Sequence, residues 1–87
     1  MEYLQPPRPD YPAQSKRLGE EGRVVLRVLV DRQGRAERID MQKSSGFERL
    51  DEAARKAVLQ ARFKPHLEDG APVAVFAIVP ITFRLDQ

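Results

Sequence analysis

The chain has no cysteine among its 87 residues. That one absence removes disulfides, thiolate nucleophiles and thiolate metal ligands together, and it fits an oxidising compartment without demanding one. Histidine is nearly absent too. His66 stands alone, in the turn-like stretch Lys64-Pro65-His66-Leu67. A general base needs a placed nucleophile and an orienting acid, and neighbouring Glu68 and Asp69 do not make such a site, so His66 reads as a surface residue. One histidine with scattered carboxylates also gives no convergent set of three or four metal ligands. The acidic pair Asp51-Glu52 falls in the first turn of a helix-like segment, where negative charge complements the helix dipole without acid–base work. Neither an enzyme nor a cofactor is expected.

Long apolar runs and charge of one sign are missing as well. The longest uncharged stretch, 70–83, is interrupted by Pro72 and Pro80 and is too short to cross a bilayer. The opening Met1-Glu2-Tyr3 is neither basic nor followed by an apolar run, so no secretory signal is visible. The chain therefore reads either as cytosolic or as a piece whose targeting segment has been removed. Fifteen basic and 13 acidic residues give a net charge of +2, with no run of either sign longer than two. A nucleic-acid binder concentrates its basic residues on one face, and this even spread argues for solvated surfaces instead. Gly19-Glu20-Glu21-Gly22 has the form of the loop that clamps phosphate in one class of RNA-binding domain. Its two glutamates would repel phosphate, and it leads into a strand rather than joining helices. No nucleic-acid partner is expected.

What is present is a strong pattern. A chain of this size holds one core and buries roughly 60–65% of the surface exposed by its unfolded form. Four of the seven prolines, Pro6, Pro7, Pro9 and Pro12, lie within residues 1–12, which read as the stiff end of a linker followed by an anchor at Tyr11. Ala13-Gln14-Ser15-Lys16-Arg17-Leu18 suits a short helix stopped by Gly19. Over 23–31 Val24, Leu26, Val28 and Val30 share one face while Val25, Arg27 and Leu29 share the other. Asp31-Arg32-Gln33-Gly34 supplies turn chemistry, and the return strand over 35–43 sets Ile39 and Met41 against Arg38, Asp40 and Gln42.

Ser45-Gly46-Phe47-Glu48 has the form of a capping box. Behind it Leu50, Ala53, Ala54, Ala57, Val58 and Ala61 make one apolar stripe at helical spacing, ended by Phe63 and Pro65. Glu68-Asp69-Gly70 predicts a turn. A last strand over 73–85 alternates Val73, Val75, Ala77, Val79, Ile81, Phe83 and Leu85. The expected fold is α+β: a short N-terminal helix, then β-β-α-β, with a three-stranded antiparallel sheet carrying the main helix on one face. An open sheet has edges that can template an incoming strand. Pro80 lies in the middle of the last strand, where a missing N–H is tolerated chiefly when it faces away from the ladder. That strand is therefore expected at an edge.

These residues, taken in order, resemble the C-terminal domain of the TonB family. The resemblance runs through Pro9-x-Tyr11-Pro12, Gly19-x-x-Gly22, Val28-x-Val30-Asp31-x-x-Gly34, Ser44-Ser45-Gly46 and Leu50-Asp51-x-Ala53-Ala54. It continues through Ala61-Arg62-Phe63-x-Pro65, Asp69-Gly70-x-Pro72-Val73 and Val79-Pro80-Ile81-x-Phe83. No piece is specific alone; the order and spacing carry it over nearly the whole chain. The resemblance implies a periplasmic domain of a Gram-negative envelope, anchored in the inner membrane by a helix outside this chain and driven there by an ExbB/ExbD-type motor. It implies binding of the TonB box of outer-membrane transporters for siderophores or cobalamin.

The box is expected on Ile78, Val79, Pro80, Ile81, Thr82, Phe83 and Arg84. A second receptor contact is expected at Arg8, Pro9, Asp10, Tyr11 and Pro12, where Arg8 and Asp10 depart from the best-known members. Tyr11 has a competing structural reading, a ring packed over the helix. Residues 1–12 are then linker end and receptor contact, and 13–87 the domain proper. The alternative is a periplasmic adaptor of the same fold serving another partner, such as peptidoglycan or a signalling protein. An exposed edge also predicts a tendency to form a homodimer through the last strand.

Overall fold

The computed structural model describes residues 2–85, so residue 1 and residues 86–87, at the ends of the two expected spans, lie outside the described residues. In chain order the elements are strand β1 (Tyr3–Gln5), helix α1 (Ala13–Leu18), strands β2 (Gly22–Val30) and β3 (Ala36–Lys43), and helix α2 (Glu48–Gln60). Strands β4 (Arg62–Phe63), β5 (His66–Glu68), β6 (Ala71–Val73) and β7 (Val75–Phe83) follow. Strands β3, β2 and β7 form one antiparallel sheet in that order, with β2 in the centre.

The period-two pattern explains why β2 is central. Val24, Leu26, Val28 and Val30 are buried on one face, while Val25 and Leu29 are half-buried on the other. Strand β7 repeats the pattern, with Ala77, Val79, Ile81 and Phe83 buried and the residues between them exposed. Helix α2 lies over β2 and β3 and buries Leu50, Ala54, Ala57 and Val58 against them. Its alanines allow the close approach, and each large side chain so buried contributes about 1.5–3 kcal/mol. A helix on an antiparallel sheet is the expected class.

The structure departs from the expected three-stranded arrangement by adding two small antiparallel pairs, β1 with β4 and β5 with β6. Asp69 and Gly70, both at positive φ, form the β5–β6 turn. His66 consequently lies in a strand opposite Val73, and the last long strand begins at Val75 rather than 73 and ends at Phe83 rather than 85. Phe63, expected only to end the helix, is completely buried in the core, and Tyr3 rests against its ring at 5.1 Å.

The capping box does not form. Gly46 turns the chain so that Phe47 occupies the cap position with no side-chain cap, and the Ser45 hydroxyl instead accepts from the Phe47 N–H at 3.1 Å. The anchoring acceptor is Asp51, which takes hydrogen bonds from the Ser44 hydroxyl, the Ser45 N–H and the Ser45 hydroxyl. Burial disfavours its charge, but these three bonds and nearby Arg55 outweigh burial and hold the Asp51 carboxyl below its ordinary value of 3.8.

Candidate peptide-binding edge

Among the described residues β2 is the only ladder partner of β7, so the far edge of β7 is open. The register places Pro80 opposite Val25, Thr82 opposite Arg23 and Phe83 opposite Gly22. In an antiparallel strand the N–H and C=O of one residue point to the same side, and the side alternates along the chain. Just past the strand, the Leu85 N–H donates to Glu21, in the segment that enters β2, at 2.8 Å. Pro80 cannot donate to Val25 across the ladder, so Val79, Ile81 and Phe83 are the residues whose backbones are directed toward β2. Pro80, which has no N–H to donate, falls on the other parity with Ile78 and Thr82, toward the open edge.

The seven expected residues of this strand thus divide by chemistry. Val79, Ile81 and Phe83 put their side chains into the core, and Ile78, Pro80, Thr82 and Arg84 are exposed. The exposed face also carries Phe76, whose ring lies under the Arg27 guanidinium at 3.8 Å. What the edge offers a partner is a row of backbone donors and acceptors flanked by apolar side chains.

The second expected stretch lies elsewhere. Arg8 and Asp10 are exposed and share with Pro12 a groove of about 750 Å³ against α2 residues Glu48, Glu52 and Lys56. Pro9 is half-buried. Pro12 is the residue before α1, and its carbonyl accepts from the Lys16 N–H. Tyr11 joins this stretch to the edge strand: it is half-buried, and the aromatic partner of its ring is Phe83, not a residue of the helix. Its hydroxyl donates to the Glu20 carbonyl. Partial burial first, then the carboxylates of Glu21 and Glu20, push the Tyr11 phenol above its ordinary value of 10.0.

Glu20 is a structural residue that the sequence did not reveal. It is 8% exposed, accepts from the fully buried Ser15 hydroxyl at 2.7 Å, and pairs with Arg49 of α2 at 3.1 Å. A phosphate clamp at residues 19–22 is thereby excluded, because Glu20 is turned inward and Glu21 holds the Leu85 backbone. Among the described residues no three histidine, cysteine or acidic side chains gather as a metal site, and no helix is long and apolar enough to cross a membrane.

Residues 7–85 match the family model described as Gram-negative bacterial TonB protein C-terminal. The chain is 39% identical to the TonB protein of Vibrio cholerae over 79 residues, covering 91% of this chain and 32% of that protein. It is 45% identical to the tonB2 protein of Pseudomonas aeruginosa over 84 residues, covering 97% of this chain and 31% of that protein. The chain thus spans about a third of the length of these relatives. The solution structure of the Pseudomonas aeruginosa TonB C-terminal domain superposes with a TM-score of 0.83 at 28% identity, covering 99% of this chain and 87% of that one.

Proposed function

Because the chain belongs to the TonB C-terminal family, we propose that it is the periplasmic, receptor-gripping domain of a TonB-type energy transducer. In this reading the TonB box of an outer-membrane transporter adds to the open edge of β7 over 78–84. The domain then passes on a pull generated at the inner membrane by an ExbB/ExbD-type motor, through an anchor outside this chain, and so serves uptake of iron–siderophore or cobalamin. Residues 13–87 form the grip. Residues 1–12 are the end of a proline-rich spacer, with Arg8, Pro9, Asp10, Tyr11 and Pro12 as a second contact to the receptor. The domain is not an enzyme.

The observation that carries this reading is the free edge of β7 with Pro80 in its middle. Strand addition suits the task energetically. About five paired residues, at a net ~0.5–1.5 kcal/mol per hydrogen bond, leave modest affinity once association costs are subtracted, so release is easy when pulling stops. A pull along the strands loads those bonds together rather than one at a time. Titrating isotope-labelled domain with N-terminal peptides of outer-membrane transporters should move the resonances of 78–84. If neither the peptides nor intact receptors move them, the reading is wrong.

A further inference from the structure

A groove of about 740 Å³ runs beside the first half of β7, lined by Val75, Phe76, Ala77 and Ile78 and by residues 64–67, which include the start of β5. Four consecutive residues of a strand point alternately to its two faces. A groove that touches all four therefore lies along the strand's edge rather than on either face. Since β2 occupies one edge, the groove follows the open one and continues the stretch assigned to partner binding toward the start of β7. Among the described residues no backbone hydrogen bond joins β7 to 64–67.

The groove mixes an apolar strip with Glu2, Lys64 and His66 at its side. Leu67 is 58% exposed, Phe76 50% and Ile78 54%, all unusually open for large apolar side chains. Arg27 covers one face of the Phe76 ring, which holds that ring in place. The charges that line the groove, Lys64 and Glu2, are paired with each other at 3.1 Å.

Taking the proposed strand addition as its premise, we infer that the bound peptide extends beyond Ile78 to the start of β7 and seats one apolar side chain in the groove formed by Leu67, Phe76 and Ile78. The occupant is an extended peptide because only a strand can pair with the edge and fill this space at once, at a spacing of ~4.8 Å from β7. Because Lys64 and Glu2 offset each other, a charged side chain there meets no net opposite charge, whereas an apolar one covers the exposed Leu67, Phe76 and Ile78. The groove therefore adds a selection that backbone pairing cannot make, since backbone bonds are the same for any sequence.

The test uses the 87-residue chain, a transporter peptide that shifts 78–84, and a scan placing lysine at each apolar position of that peptide. Resonances of 64–67 and 75–77 should move together with those of 78–84. Leu67→Glu, on an exposed hairpin outside the core, should stay folded and weaken the parent peptide about tenfold. One lysine-bearing peptide in the scan should bind Leu67→Glu better than it binds the parent domain, a swap that mere loss of folding would not produce. If 78–84 shift while 64–67 and 75–77 stay still, and Leu67→Glu binds within twofold, the groove proposal is overturned and strand addition stands. If no peptide shifts 78–84, both fall.

Discussion

The Tyr11 ring meets Phe83 edge-on, with centroids 5.3 Å apart and planes at 83°. The segment before α1 is thereby tied to the last strand, on the opposite side of the sheet order from β3. Edge-to-face geometry sets the positive rim of one ring against the negative face of the other. If load enters through residues 1–12 and leaves through a peptide on β7, this contact connects the two.

Two replacements separate the ring from its hydroxyl. Tyr11→Phe keeps the ring contact and loses the bond to the Glu20 carbonyl, so it should melt below the parent. Tyr11→Ala loses both and should melt lowest. The phenol's raised value means that the folded state holds its proton more tightly than the unfolded chain does. The stability this contributes is complete below pH 10 and is lost as pH rises through the folded value. Urea midpoints between about pH 8 and 11 should therefore fall less steeply for Tyr11→Phe. Some slope should remain, because burial also raises Tyr3. Equal slopes in the two proteins would remove Tyr11 from the account.

Proline substitution tests the parity of β7. Thr82→Pro removes a donor from the open edge and should cost the fold little while weakening peptide binding. Phe83→Pro breaks the ladder opposite Gly22 and deletes a core ring, so it should cost ~3 kcal/mol or more. Thermal melting and peptide titration of both variants decide the matter. Should Thr82→Pro unfold the domain while Phe83→Pro survives, the assigned directions are reversed.

Gly34 is required twice over. Its φ is +83°, and a Cβ there would stand 2.0 Å from the Phe63 carbonyl oxygen. The same residue's carbonyl accepts from the Phe63 N–H at 2.7 Å, joining the β2–β3 turn to β4. Gly34→Ala should cost roughly 3 kcal/mol or more, because backbone strain and a clash with main chain add. Gly19→Ala is the control, with φ +72° and nothing within 4 Å; it should cost only about 1–2 kcal/mol. Similar denaturation midpoints for the two would show that the turn can move away from β4.

The long elements were legible because their apolar residues repeat at the period of the structure they form. Val24 to Val30 alternate, and Leu50, Ala54, Ala57 and Val58 recur at helical spacing, so burying either stripe fixes its face. Pro80 marked the edge through a missing N–H, which is local chemistry. The short pairs had no such signal. Three residues in β5 and three in β6 make no period, and Phe63 belongs to the core only because Gly34 receives its backbone from far along the chain. Ser15 and Glu20 look like surface residues in sequence, and only folding brings the buried Ser15 hydroxyl and Arg49 of α2 onto the Glu20 carboxylate. The groove beside β7 needs Leu67 and Phe76 brought together by folding, so neither residue announced it.

Ser45 and Glu48 have the spacing of a capping box, yet the acceptor that matters is Asp51, and its charge can be titrated. Asp51→Asn keeps the size and loses the charge that attracts three donors and Arg55. At neutral pH it should cost about 1 kcal/mol, the low end for charge-assisted bonds because the site is half-open to water. The carboxyl's folded value lies below 3.8, so its contribution is present in full above the unfolded value and disappears as pH falls through the folded one. The gap between parent and Asp51→Asn should therefore be widest near neutrality and narrow as pH falls through the folded value, below 3.8. Urea midpoints at both ends of that range measure it. A gap that stays the same size at low pH would mean that the amide is penalised for its shape, and that the charge of Asp51 does not hold the Ser44-Ser45 turn.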